Sequence, residues 1–337
     1  MGVSINFAKS RCCVQKSVNF ELILLFKCPK KCKILVREKL SLIITVVDSM
    51  KKTLEKAPLV HALIHLRFAE VPTLKTIDPE LIKALHVRMI DEGFPEKIES
   101  QADIAEWNYD AVSQQMKHRK LSNTRLLFRA AGEREIFEIS DSSIILKSTK
   151  YGTFSDFYDK FHRLLLVCME IIPKLDKTLL KSVGLRYVDV IAPSGESTLR
   201  DYVSADIQPP YLEGVGTHLQ GHSLKAVKVA ENQVLVVNFE ELPTIDNRVQ
   251  KVLPENLMEP DEKCGLVIDG QRDWFNVRSE TYGILDVDHT YQFVHSPTFS
   301  VVLIADATRK LYQSASDIFW GVISEKAKQA WGYKEES

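Results

Sequence analysis

Apolar residues alternate at positions 60, 62, 64, 66 and 68, a period of two that predicts a β-strand with one buried face. The period changes after Asp78-Pro79. Ile82, Leu85 and Met89 recur at helical spacing, with Asp78 as N-cap, Pro79 at the first helical position and Gly93 as the stop. Four strands are then expected near 104–112, 124–131, 134–140 and 143–149, with Gly132-Glu133 and Asp141-Ser142 as tight turns between the last three. Thr153 caps a second helix, whose stripe is Phe154, Phe157, Phe161, Leu164, Leu165, Cys168 and Ile171 and which ends at Pro173. The first half therefore reads β-α-β-β-β-β-α.

The same order is expected again. A strand over 180–191 leads into a short helix at 197–203. Strands follow near 214–229, 233–241, 264–273 and 282–288. A helical region runs from Ser296-Pro297 to Trp331, with Leu311, Ala315, Ile318, Phe319, Val322 and Ile323 on one face and Gly332 as the stop. Short matches support a duplication. Leu66-Arg67-Phe68-Ala69-Glu70-Val71 is nearly Leu185-Arg186-Tyr187-Val188-Asp189-Val190, at an offset of 119. Residues 137–143 resemble 275–281, and Thr153-Phe154-Ser155 recurs as Thr298-Phe299-Ser300. The offset grows along the chain, so the second copy carries an insertion, placed at 242–263, where Pro243, Pro254 and Pro260 interrupt any periodicity.

Charge divides the chain at Met50. Residues 1–49 hold nine Lys/Arg and three Asp/Glu, a balance of +6, and the other 288 residues stand at -7, for the total of -1. Cys12, Cys13, Cys28 and Cys32 also lie in that first stretch. Residues 1–49 are therefore read as an upstream extension and Met50 as the usual start. The alternative is a metal or redox element on Cys28 and Cys32, but their CxxxC spacing and the lack of a nearby His argue against it. The body keeps Cys168 and Cys264, too few for a disulfide framework, so a reducing, cytoplasmic setting is expected. The apolar runs at 22–26 and 42–47 are too short to span a bilayer, and no membrane association is expected. The acidic body argues against a nucleic-acid partner.

Ala57-Pro58-Leu59-Val60 leading into Leu66-Arg67-Phe68, the Gly184-Leu185-Arg186-Tyr187 strand, Leu285-Asp286-Val287-Asp288 and the closing amphipathic helix resemble a sporadically distributed prokaryotic family of uncharacterised proteins. The resemblance covers about residues 50–331 and implies a start near Met50. His61 stands where that family's pattern has an acidic residue. The family brings no agreed reaction. The element order of each half also resembles the β-α-β4-α unit of the TATA-binding-protein-like fold, an analogy of topology alone.

Arg67 and Arg186 are the leading ligand-binding candidates. Each alternates with large apolar residues and should face away from the helices, where two guanidiniums can clamp a carboxylate or phosphate. The plainer account is a cross-strand acid beside each. His61/His65 and His218/His222 are spaced HxxxH, but in strands four residues span about 13 Å, too far to share one ion. Asp286 and Asp288 share a strand face and can hold a cation only if other ligands converge. Lys117-His118-Arg119-Lys120 reads as a solvated basic turn. GxGxxG, Walker, HExxH and GxSxG signatures are missing, so no catalytic residue, cofactor or metal is assigned.

The sequence thus predicts an α+β protein with three segments: the extension 1–49, a repeat over 50–176 and a second over 177–337. Each repeat would be a β-α-β-β-β-β-α unit, with the helices on one face of antiparallel sheet. Its expected role is a cytoplasmic binding or regulatory module for a protein or small anionic ligand. The alternatives are a hydrolytic or nucleic-acid-processing enzyme with dispersed acids, and a saddle-type nucleic-acid binder. A chain beginning at Met50 should stay soluble and melt within a few degrees of the full-length protein by circular dichroism. A large loss of stability would show that 1–49 packs into the core.

Overall fold

The computed structural model describes residues 51–336 other than 77, 111–114, 213, 217 and 218. The expected extension, its cysteines and His218 lie outside the described residues. Residues 52–335 form one compact unit. The fold is α+β and is built on one nine-stranded antiparallel sheet.

Eleven strands occur among the described residues: β1 (Lys51–Leu54), β2 (Leu59–Phe68), β3 (Glu96–Asp110), β4 (Gln115–Arg129), β5 (Glu135–Ile139), β6 (Ser143–Ser148), β7 (Leu180–Ile191), β8 (Gly221–Ala230), β9 (Gln233–Pro243), β10 (Thr281–Gln292) and β11 (Tyr333–Glu336). The α-helices are α1 (Pro72–Lys75), α2 (Pro79–Asp91), α3 (Phe154–Ile171), α4 (Leu199–Tyr202), α5 (Val301–Val322) and α6 (Glu325–Ala330). The large sheet runs β3-β4-β5-β6-β2-β7-β10-β9-β8, and β1 pairs separately with β11.

The two strands that carry the repeated hexapeptide are neighbours at its centre. Leu66 pairs with Val183 and Ile64 with Leu185. Under the 119-residue offset these two pairs exchange, so the register treats the two strands alike. The other matches fare differently. Phe137 is buried on β5, whereas Phe275 is 59% exposed in a 3-10 turn. Thr153 caps α3, but Ser300, not Thr298, caps α5. The second half also lacks one expected strand. Residues 264–273 form no ladder, so β7 is followed by β8, β9 and β10 alone. Leu266 and Ile268 of that stretch pack onto the sheet instead of joining it.

Local chemistry sets the helix limits. Asp78 accepts a hydrogen bond from the Glu80 amide and starts α2, and Gly93 takes a positive φ of 89° beyond its end. The Thr153 hydroxyl accepts from the Asp156 amide at the start of α3. The last helix begins later than Ser296-Pro297 implies, because His295 and Ser296 adopt left-handed turns. It also breaks at Ile323, which bridges to Val203, and resumes from the Ser324 cap as α6. Lys117–Lys120 lie within β4 rather than in a turn, and their side chains are outside the described residues. Among the described residues no helix is long and apolar enough to cross a membrane.

The main core lies between the helices and one sheet face. Ala62, Ile64 and Leu66 of β2, with Val183, Leu185 and Tyr187 of β7, meet Phe157, Phe161 and Leu165 of α3 and Ile304 and Leu311 of α5. Gly283 matters here, because a Cβ would come 2.6 Å from the Phe239 ring and 3.2 Å from Leu199. Phe161 is fully buried. Phe161→Ala should cost about 3–5 kcal/mol by urea unfolding. A neutral result would show that the stripe on α3 is not core.

Candidate functional site

Alternation along β2 and β7 assigns the remaining side chains to the other face. His61, Leu63, His65 and Arg67 of β2 lie there. Register adds Lys147 of β6 and Arg186 of β7, both opposite Leu63, and Asp288 of β10 opposite Arg186. The sequence implied that this face is open. It is not, because a strap, residues 244–280, is laid across it.

The strap leaves and rejoins the sheet at one neck. The Val249 amide donates to the Trp274 carbonyl at 2.9 Å, and the Val277 amide to the Asn247 carbonyl at 2.8 Å. Val249, Val252, Leu253, Trp274 and Val277 cover Val188, Val190 and Ile284 there. From this apolar neck the strap reaches out to β3 and β4. Asn256 Oδ1 accepts from Arg186 Nη2 at 2.9 Å, Asp261 Oδ2 from the Ser100 hydroxyl at 2.7 Å, and the Gly265 carbonyl from Arg129 Nη1 at 3.1 Å. Cys264 and Leu266 cover Leu127 and Ile136 beyond them.

Midway, the strap closes over a group of four charges. Glu259 Oε1 accepts from Arg125 Nη2 at 2.8 Å, and Oε2 from Arg125 Nη1 at 3.3 Å and Lys147 Nζ at 3.4 Å. Glu138, from the sheet itself, accepts from the same Lys147 at 3.0 Å and lies 3.7 Å from Arg125 Nη1. Burial opposes the Glu259 charge, but the bond from Arg125 and the field of Lys147 outweigh it and hold the carboxyl below its usual range. Two nitrogens on this face, Arg125 Nε and His61 Nδ1, are buried without a hydrogen-bond partner among the described residues. These residues were not legible in sequence. Arg125, Lys147 and Glu259 lie far apart in the chain, Glu259 close to other acids, and only strand alternation placed the first two on a common face.

Arg67 and Arg186 share this face but form no clamp. The His65–Gly184 pair lies midway between them in the β2–β7 register. Arg67 pairs with Ser182 and Arg186 with Leu63, four residues or about 13 Å apart along the strands. Arg186 is already held by Asp286, with Nε–Oδ1 at 2.7 Å and Nη2–Oδ2 at 2.6 Å. Arg67 is exposed and takes part in no ion pair among the described residues. Asp286 is thus committed to Arg186, and among the described residues no group of three or more His, Cys, Asp or Glu is placed to hold a metal ion. His222 bonds to Asn238. Cys168 and Cys264 are buried thiols. Two shallow, open hollows flank α1, one of them lined by Pro72, Thr76, Leu81 and Pro173, and neither touches the charged group.

No protein-family model matches the chain, and no curated protein matches it. The site is therefore argued from its own chemistry.

Three groups near the centre, the buried Asp189 and His61 and the half-buried His65, couple stability to pH. Burial, aided by the Asp286 charge, pushes the Asp189 carboxyl up to about 8. Burial also pulls His61 down to about 3 and His65 to about 4, helped by neighbouring cations. Folded Asp189 keeps a proton that the unfolded chain releases near pH ~4, so stability falls as pH rises from there to about 8. The histidines act in reverse. The unfolded chain binds their protons below pH ~6.5 and the folded chain does not, so stability falls on acidification. Above that pH, of these three, only Asp189 still contributes. Asp189→Asn should remove the decline in stability between about pH 6.5 and 8 and gain on the order of a few kcal/mol at pH 8. Urea unfolding across that range checks it, and an unchanged slope would mean that Asp189 ionises normally.

Proposed function

We propose that this protein is a binding module for a small anionic ligand, a carboxylate or phosphate, held at Arg125 and Lys147 beneath the strap. The observation that carries this reading is the position of Glu259. It is a carboxylate from an irregular loop, seated on a guanidinium fork and an ammonium that the sheet itself presents. Stability alone does not favour such an arrangement. Burying ion pairs costs desolvation, and well-packed apolar residues usually do as well or better. Arg125 Nε and His61 Nδ1 add to the cost, because each buried unpaired donor or acceptor is worth about 1–3 kcal/mol. A bound oxyanion would take the place of Glu259 and offer acceptors to Arg125. The resemblance noted in the sequence supplies no reaction, so the reading rests on this geometry.

Removing the internal carboxylate tests it. Glu259→Gln keeps the shape and withdraws the competing charge, so the variant should bind inorganic phosphate or succinate at least about tenfold more tightly than the parent chain by calorimetry, a gain of about 1.4 kcal/mol. Arg125→Gln in that background should abolish the binding. If Glu259→Gln binds neither anion at millimolar concentration while its melting curve stays cooperative, the reading fails. Binding that survives Arg125→Gln would place the anion elsewhere.

A further inference from the structure

We infer that β8 is the surface through which two copies of this chain join, edge to edge, into one continuous sheet. β8 pairs only with β9, so its outer row of amides and carbonyls is unpaired among the described residues. His222 and all of residues 224–229 are exposed. The exposure includes Leu224 at 58%, Val227 at 48% and Val229 at 44%. Leu224 lies on the strap face and the two valines on the helix face, so the edge is apolar on both sides. A long edge of this kind is a template for another strand.

Charge decides which strand. Lysines on an edge usually deter pairing. Here both are already satisfied within the chain. Lys228 is paired with Glu231 at 2.8 Å, and Lys225 donates to the Asp206 carbonyl. The edge therefore offers no free charge for an acidic peptide. A second β8 suits it better. An antiparallel twofold through Ala226 sets Lys225 against Val227 of the partner subunit and Lys228 against Leu224 of the partner subunit. Each lysine stem then covers an aliphatic side chain while its head keeps its own partner, Asp206 or Glu231. Axes at Lys225 or Lys228 would oppose lysine to lysine. Ala226 is the position nearest the middle of the strand that avoids this, and its register uses residues 222–230. The contact is isologous, so it closes at two copies. Nine paired residues span only about 30 Å, short of a standard interface, so association should be weak and concentration-dependent.

The full-length chain tests this directly. Light scattering after size exclusion should show monomer at about 1 μM and dimer near 100 μM, as a weak contact requires. Amide exchange at residues 222–229 should slow over the same range. Val227→Lys opposes lysine to Lys225 and should weaken the dimer at least tenfold. Val227→Glu at the same exposed site should preserve or tighten it. A chain that stays monomeric at 100 μM overturns the proposal. So does a dimer without protection at 222–229, or equal weakening by Val227→Lys and Val227→Glu.

Discussion

The antiparallel pairing of β2 with β7 is the constraint from which the rest of the structure follows. Both strands lie in mid-sheet, and both of their faces are buried over much of their length. On one face, alternation presents Ala62, Ile64, Leu66, Val183 and Leu185, which the amphipathic helices cover. On the other it presents Val188 and Val190, and the irregular pairing between Leu59 and His61 turns Val60 to that side too, away from the face that the 60–68 alternation implied. Those valines cannot be left in water at about 25 cal/mol per Å² without loss. The strap answers that requirement. Once laid down, it must also cross the charged residues that share the face, and this is how Glu259 meets Arg125 and Lys147.

The two ends of the strap are held by different physics. At the neck, Trp274 and Val277 join an apolar cluster, and backbone hydrogen bonds close the loop on itself. The reach towards β3 and β4 depends more on charge: Asn256 on Arg186, Glu259 on Arg125 and Lys147, Asp261 on Ser100. Apolar contact at the neck does not weaken when an anion competes. Ionic contact does, because a ligand oxyanion can substitute for a carboxylate group for group. The middle of the strap is thus where exchange costs least and the neck is where it costs most. That is the arrangement a binding loop on a fixed scaffold needs.

Much of the scaffold was legible in sequence, and the reasons are local. β7 was read to the residue, because a stretch rich in Val, Leu, Ile and Tyr, bounded by Lys177-Thr178 and Pro193, has few other solutions. The α3 helix was read from a seven-residue stripe with a Thr cap and a Pro stop. The missing strand at 264–273 failed for an equally physical reason. Leu266 and Ile268 alternate as a strand would, yet alternation reports which side chains are buried, not whether the backbone joins a ladder. The arginine pair failed one level higher. The repeated hexapeptide fixed the face that Arg67 and Arg186 share. It carried no information on their separation, which depends on the register between β2 and β7.

The charged site draws unequally on the two halves of the chain. If the two halves were alike on this face, each would carry its own cover. Only the second half has the strap, and it reaches back over the first half, over β6, β5 and β4, where Lys147, Glu138 and Arg125 lie. The first half has its extra strands at that end, so the sheet extends beyond β6 by three strands, whereas it extends beyond β10 by two. The longer wing provides the cations and the inserted loop provides the carboxylate. Neither half alone holds the four charges: the first supplies Arg125, Glu138 and Lys147 from the sheet, and the second supplies Glu259 from the strap.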